Sequence, residues 1–545
     1  MADTPETNPE IFPQLDSAQI GQLRKFGGER HAEAGEILFD QGDANRGIFI
    51  VLSGSIQIAG ISNGEETVVR TLGPGQFTGE VNLLSGRRAL VRCRALTASS
   101  LLEISRESLR QIMQTDATIG ELFLRAFVLR RTYLIANSVG DAVLVGSAHS
   151  SDTLRLRAFL SRNAHPHTYL DVDRDPDTQA VLDHFGVGVD EIPVLICRGS
   201  LVLRNPTNAE AAACFGLNAG IDEGGVYDLI VVGAGPAGLA AAVYGASEGL
   251  NVLVVEGGAP GGQAGSSSRI ENYLGFPMGV SGQELTSRAF LQAEKFGAHI
   301  LIARAAKALQ CNYPLYTVEL DDGGRVQART IIVAAGAQYR KLKLPNLSQF
   351  EGVGVYYAAT SVEAQLCGND EVIVVGGGNS AGQAAIYLSE FARHVYLLVR
   401  GRGLADTMSR YLISRIEASP QITFKPWTEI EALEGSGHLE SVRWRDKNTS
   451  VCETRLVRHI FSMTGANPNS AWLHGCLALD ERQFVRTGGD FGPDWTLRRP
   501  PYLLETSRPG IFAVGDIRAG SIKRVASAVG EGSMAVQFVH KVLAE

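Results

Sequence analysis

Two stretches of this chain share one pattern. "YDLIVVGAGPAGLAAAVYGASEGLNVLVVEGG", from Tyr227, runs an apolar block into a glycine-rich turn, a small-residue helix and a second apolar block ending at Glu256. "DEVIVVGGGNSAGQAAIYLSEFARHVYLLVRGRG", from Asp370, repeats the unit and ends at Arg400. Short apolar runs bounded by glycine read as buried strands, so each stretch is a βαβ unit on a parallel sheet. An internal duplication of this kind implies two nucleotide sites in one α/β chain.

The spacing within the turns says how such a site works. Gly233, Gly235 and Gly238 stand at G-x-G-x-x-G positions, with Pro236 opening the helix. The first glycine makes the turn, the second lets the backbone approach a pyrophosphate, and the third allows close helix–strand packing. The helix N-terminus adds partial positive charge, and Glu256 is placed to accept hydrogen bonds from an adenosine ribose. The second unit has Gly376, Gly378, Asn379, Ser380 and Ala381 in the same register, with Arg400 where the first has its acid. A cation there suits a 2′-phosphate, hence NADPH over NADH, and a solvated arginine at a strand end is the plain alternative.

Composition narrows the rest. The chain of 545 residues has room for three or four domains, and its 61 glycines exceed the usual share of about 7%. A net charge of −8 argues against nucleic acid as a partner. The Arg130–Arg131 pair in "VLRRTYL" reads as a solvated helix face. The N-terminal "MADTPETNPEIFPQL" lacks the basic and apolar regions of a secretory signal, and no apolar run approaches the ~20 residues of a membrane span. Seven scattered cysteines without C-x-x-C spacing fit a reducing cytoplasm and argue against a disulfide framework. His165 and His167 flank a proline and read as a solvated turn, and no metal site is expected.

Along the chain, residues 12–105 alternate at period two between turn residues, the pattern of a β-roll. "SRESLRQIMQTDATIGELFLRAFVLRRTYLIA" then reads as one long amphipathic helix from a Ser cap, either a dimer seam or a helix packed back on its own roll. Residues 141–217 alternate strand and helix, with a hairpin in "IPVLICRGSLVLRN". The expected divisions are 1–140, 141–217, a linker at 218–225, a first nucleotide-binding part at 226–337, a second at 338–464, and a return to the first at 465–545.

Over 226–545 the sequence resembles the thioredoxin-reductase family of flavoproteins, on several motifs in the family's order. "GAGPAG" and "GGQAGSSSRIENYLGFP" are similar to its FAD turn and flavin-passing segment, which carries Gly262, Gln263 and Asn272 over. "IIVAAGA" resembles the A-T-G-A loop, with Ala335 for the threonine, followed by Gly336. "GGGNSA" matches the NADPH turn and "TGANPN" the return crossover. "GIFAVGDI" places Asp516 on the FAD ribityl chain. "KRVASAVGEG" resembles the closing helix, with Lys523, Arg524 and Val525 where the family usually has Arg-Gln-Ala. Two departures stand out. The family's C-A-T-C reads Ala358, Ala359, Thr360, Ser361 here, and neither Ala nor Ser cycles through a disulfide. Next to Arg400, Gly401 replaces a second arginine, with Arg402 displaced by one. Cys367 reads as a packed thiol at the start of the following strand.

The segment 141–217 resembles a thioredoxin or glutaredoxin fold, with Ile192–Pro193 at its cis-proline, but "GSAHSSDT" holds no dithiol. The roll resembles a cyclic-nucleotide-binding domain, on "FTGEVNLLSG". The resemblance implies that Gly79 and the following turn bind a phosphate and that Glu80 accepts from a ribose. The cassette's arginine position falls on Ala89, so Arg88 reaches inward only if the "SGRRAL" loop is rearranged.

The expected protein is therefore a multidomain chain: a β-roll with a C-terminal helix, a central thioredoxin-like α/β domain, and a flavoprotein with two Rossmann-like dinucleotide-binding domains. As an oxidoreductase it passes hydride from NADPH, with NADH possible, to FAD, with no side chain assigned as acid, base or nucleophile. The acceptor is a redox protein of ferredoxin or flavodoxin type, a quinone or oxygen. A cytoplasmic homodimer is expected, with an anionic, nucleotide-like ligand or simple packing at the roll. Two alternatives stay open: a disulfide reductase working through Cys367, and a non-enzymatic flavin sensor.

Overall fold

The computed structural model describes residues 9–44, 47–62, 65–137, 142–175, 178–198, 201–218, 222, 224–489 and 491–545. The N-terminal roll is built from two antiparallel sheets. One has Gly27–Ala32, Ser99–Ile104 and Ile48–Ser53; the other has Ile37–Phe39, Arg92–Ala95, Ile56–Ser62 and Glu65–Leu72. The helical stretch after it is two helices rather than one, Arg106–Thr115 and Ala117–Ala136. Asp116 breaks them because its backbone is extended and its carboxylate caps the second helix by accepting from Ile119 N. The second helix packs back on the roll, where Phe123 and Phe127 meet Phe77.

The middle sheet runs Leu201–Arg204, Val194–Cys197, Ala142–Gly146, His167–Asp171. The hairpin is present, and the Ile192–Pro193 peptide is cis. Asn218, at the start of the expected linker, is tied down: it donates to Ile302 O at 3.0 Å and accepts from Ile302 N at 2.7 Å. Of the remaining linker, 219–221 and 223 lie outside the described residues.

Both duplicated units form parallel sheets. In the first, His299–Ile302, Val252–Glu256, Val226–Val232, Arg325–Val333 and Ile511–Ala513 run parallel, and Tyr316–Leu320 and Ala306–Gln310 extend the sheet antiparallel. In the second, the order is Val355–Tyr356, His459–Ser462, Glu371–Val375, His394–Leu398, Ile422–Lys425, beside a three-stranded antiparallel sheet. The central strands Val226–Val232, Val252–Glu256, Glu371–Val375 and His394–Leu398 are buried on both faces along most of their length, which is why they read as continuous apolar runs. The chain crosses between the units on a two-stranded ribbon, Ala337–Tyr339 against Ala466–Pro468.

Three readings of side chains are corrected. Arg130 and Arg131 are 5% and 7% exposed, because their helix turns them into the roll and toward the middle unit. His165 is buried against the Phe215 ring, with centroids 4.0 Å apart, and His167 Nδ1 meets its carbonyl at 2.9 Å. Cys197 is disulfide-bonded to Cys214, and Cys311 to Cys476. Those partners lie 17 and 165 residues apart, so spacing alone could not pair them. Among the described residues no helix is long and apolar enough to cross a membrane.

Candidate active site

Parallel neighbours end at the same edge of a sheet. The C-terminal ends of Val226–Val232, Arg325–Val333 and Ile511–Ala513 therefore bring together the Gly233–Gly238 turn, the Ala334–Gly336 loop and the Gly515–Ile517 turn. Gly233 has φ +107°, and a side chain there would collide with the Ala334 carbonyl, so glycine is required. A Cβ on Gly262 would lie 3.1 Å from Gly235 Cα, so the two backbones approach closely and the pair leaves a patch of bare backbone at this edge. The helix Pro236–Ser247 starts at its rim with Pro at its first turn.

Glu256 closes the other side. Its carboxylate accepts from Ala234 N and Gly258 N, both at 2.8 Å, and burial raises its pKa. Burial likewise raises Asp516, which faces Lys523 Nζ at 4.0 Å. The Asp516 turn is held by Glu531, which accepts from Gly515 N at 2.7 Å and pairs with Arg518. Ala335 and Gly336 are clasped by Asn469, which donates from Nδ2 to Ala335 O at 2.8 Å and from its backbone to Gly336 O at 3.0 Å. Gln263 donates to Ala337 O; Asn272 is exposed on the same segment. Arg524 caps the helix Val525–Ala544, so Lys523, Arg524 and Val525 form its N-terminal approach to this edge. Glu531 and Asn469 carried no expected role, although both lie in motifs that did.

In the second unit Gly376 has φ +142°, and Gly378 caps the helix Asn379–Leu388. Asn379 Oδ1 accepts from Ser409 N, and Thr407 donates to Gly377 O, both at 2.7 Å, so the turn is braced from below. The Arg400 side chain is 75% exposed, 4.0 Å from Glu429, at the end of its strand. Tyr339, on the crossover ribbon, hydrogen-bonds Ser380 and stands within the field of Asp516, and burial raises its pKa. No sequence motif marked Tyr339.

Cys367 ends the Ser361–Leu366 helix rather than starting a strand, because Thr360 caps that helix with Glu363 in a capping box. Cys367 is fully buried, its thiol donates to Glu363 O at 3.3 Å, and burial pushes its pKa up to about 12. Among the described residues no cluster of three or more His, Cys, Asp or Glu side chains is arranged to hold a metal ion.

These paired turns are what comparison with known proteins finds. A family model described as pyridine nucleotide-disulphide oxidoreductase matches residues 227–532, and one for the cyclic nucleotide-binding domain matches 29–116. The chain belongs to the pyridine nucleotide-disulphide oxidoreductase family. Within it, the thioredoxin reductase of Mycolicibacterium smegmatis is 34% identical over 320 residues, covering 59% of this chain and 97% of the relative. That of Bacillus subtilis (strain 168) is 32% identical, covering 59% and 96%. The solved thioredoxin reductase of Lactococcus lactis, in its FR conformation, superposes with TM-score 0.53 at 28% identity over 58% of this chain and 99% of its own. The chain is thus a thioredoxin-reductase-like oxidoreductase of a family that uses FAD and NADPH. The bare backbone of Gly235 and Gly262, the helix N-terminus and the half-buried Glu256 fit FAD.

The roll departs from what its family implies. Gly79 has φ +113°, and Phe127 fills the space beside it. Glu80, 4% exposed, accepts from Asn82 N at 3.0 Å and pairs with Arg131 at 3.3 Å. The Arg130 guanidinium lies 4.6 Å from both the Phe12 and Phe77 rings and donates to Ile11 O and Gly79 O, and burial pushes its pKa down to about 9. What remains is a cavity of about 40 Å³ bordered by Phe77, Glu80, Arg130 and Leu134. That is far below the ~300 Å³ of a small-molecule site. Arg88 does not line it: its side chain packs against Gly216 of the middle unit, and the loop is not rearranged inward.

Proposed function

We propose that this chain oxidises NADPH through bound FAD and delivers the electrons to an acceptor that meets the flavin directly. A ferredoxin- or flavodoxin-like carrier, a quinone or oxygen each qualifies. The observation that carries the reading is the sulfur-free stretch 358–363, closed by the Thr360–Glu363 capping box, beside a Cys367 that is buried and protonated. Disulfide exchange needs an accessible thiolate, and this one is neither accessible nor ionised.

Bound FAD supplies the redox chemistry, taking a hydride, two electrons with one proton, from NADPH, which leaves as NADP⁺. The chain's own residues bind and orient. Gly233, Gly235, Pro236, Gly238 and Gly262 would admit the pyrophosphate, Glu256 the adenosine ribose and Asp516 the ribityl chain. Gln263, Asn272, Ala335, Gly336, Lys523, Arg524 and Val525 would surround the ring system. Gly376, Gly378, Asn379 and Ser380 would hold the NADPH phosphates, and Arg400 the 2′-phosphate. Positioning of this kind contributes to the rate without any side chain gaining or losing a proton.

A disulfide reductase is the second reading, favoured by the names of the relatives. The experiment that separates them is anaerobic reduction by NADPH followed by an acceptor screen that includes thioredoxin. Thiol-sensitive thioredoxin turnover would establish the second reading. Negligible turnover with every acceptor would leave a flavin sensor. The protein is proposed to act in the cytoplasm as a homodimer, with the roll serving for packing or for an anionic ligand.

A further inference from the structure

We propose that the Ser151–Arg162 helix is a strap that fixes the nucleotide-binding unit in its orientation relative to the flavin site. The helix spans about 18 Å at 1.5 Å per residue, and its two ends touch different units. At its C-terminal end Arg162 donates to Ala259 O at 3.3 Å and Gly262 O at 3.2 Å, the loop of the proposed FAD site. Gln283 of the first unit donates back to Arg162 O at 3.2 Å. Leu156, Phe159 and Leu160 are buried in one apolar cluster with Leu229, Ala241 and Phe290, so the helix shares the first unit's core.

Its other face grips the second unit. Ser151 lies against Gly352, Leu154 packs into the cluster of Ala359, Ala364 and Cys367, and Arg157 donates to Gln365 Oε1 at 2.9 Å. These residues fall on one stripe because 151, 154 and 157 are three apart. Arg157 is itself held over the Tyr169 ring at 4.8 Å. The crossover between the two units is only the ribbon Ala337–Tyr339 and Ala466–Pro468, and units joined so narrowly move relative to one another by default. The orientation being held is the one in which Tyr339 links Ser380 to the field of Asp516.

The cluster that Leu154 packs against includes Ala359, within the stretch where a dithiol is missing. Leu154 and Arg157 are thus positioning residues for hydride transfer. The inference rests on the FAD and NADPH sites proposed above but not on the acceptor, because anaerobic reduction of the flavin by NADPH involves none.

The test uses the full chain in a Cys452→Ser background, since Cys452 is the exposed thiol. Arg157→Cys with Gln365→Cys, joined by a short bis-maleimide, replaces the strap's hydrogen bond by a covalent link. Intact-mass measurement should show the link forming nearly completely even in FAD-free protein, and the linked, FAD-loaded protein should be reduced by NADPH within twofold of the wild-type rate. Leu154→Glu with Arg157→Ala should slow reduction about tenfold while FAD affinity, read by fluorescence titration, stays unchanged. Leu154→Ala alone serves as a milder variant if the double one fails to fold, with an intermediate slowing expected. Failure of the link to form, loss of reduction on linking, or full-speed reduction in the loosened variants would each overturn the strap.

Discussion

Glu271, on the segment after the proposed FAD site, holds Arg415 of the nucleotide unit through both carboxylate oxygens, at 2.8 and 2.9 Å. The pair is direct contact between the two halves of the active site, yet its side chains are 23% and 44% exposed. Exposed ion pairs contribute about 0.2–1 kcal/mol and are screened by salt. Arg415→Ala should therefore change the rate of flavin reduction by less than about fivefold, and the difference should vanish in high salt. A larger, salt-independent loss in stopped-flow traces would assign the orientation to this pair rather than to the apolar contacts of Leu154.

On the proposed reading, FAD binding depends on bare backbone at Gly235. A bulky residue there would push against Gly262, so Gly235→Leu should purify colourless while the wild type is yellow. Absorbance spectra check this directly. A wild-type protein that gains no flavin absorbance with added FAD would remove the cofactor assignment.

On the proposed reading, nucleotide preference rests on Arg400, which is exposed and only loosely paired with Glu429. Arg400→Ala should raise KM for NADPH roughly tenfold or more, for loss of a charge-assisted contact of about 1.5–3 kcal/mol, and leave NADH nearly unchanged. Equal losses with both would give Arg400 another role. Gly401 supplies no second cation, so the wild-type preference is expected to be modest.

The sequence made the two units legible because a glycine turn between buried strands leaves few alternatives, and the turns around Gly233 and Gly376 stand where their spacing placed them. Helix boundaries and side-chain direction were less legible. Asp116 splits a helix whose apolar period runs straight through it, and Arg130 and Arg131 look like surface cations until their helix folds back on the roll. Contacts made by residues far apart in the chain, such as Arg157 with Gln365 and Tyr339 with Ser380, leave no periodic trace at all.

Thiol chemistry should be silent. Burial pushes both Cys93 and Cys367 up to about 12, so at pH 8 the thiolate fraction of each is about 10⁻⁴. Iodoacetamide should label Cys452 alone, by intact mass, and leave NADPH reduction of the flavin intact. Raising the pH toward 12 increases the thiolate and should speed labelling of the other two. Rapid alkylation of Cys367 at pH 8 with loss of turnover would revive the relay reading.

The last prediction concerns the roll. Glu80, the residue expected to take a ribose, is already committed to Arg131 and Asn82, and the Arg130 guanidinium sits between Phe12 and Phe77 over a cavity of about 40 Å³. A cyclic nucleotide would have to displace Arg130 and separate a buried ion pair, and breaking such a pair costs about 3–5 kcal/mol. Set against a micromolar site worth about 8 kcal/mol, that cost lowers affinity a hundredfold or more. The cassette is instead spent on packing. Arg87 faces Glu294 at 3.7 Å with both side chains about 95% buried, and Arg88 packs against Gly216. Calorimetric titration of the full chain with cAMP and cGMP should show no binding below about 100 µM. Arg87→Ala, by removing the arginine that acts most strongly on buried Glu294, should destabilise the protein to urea more than Glu294→Gln does. Micromolar cAMP affinity that disappears in Arg88→Ala would show that the loop opens and that Arg88 is the phosphate ligand after all.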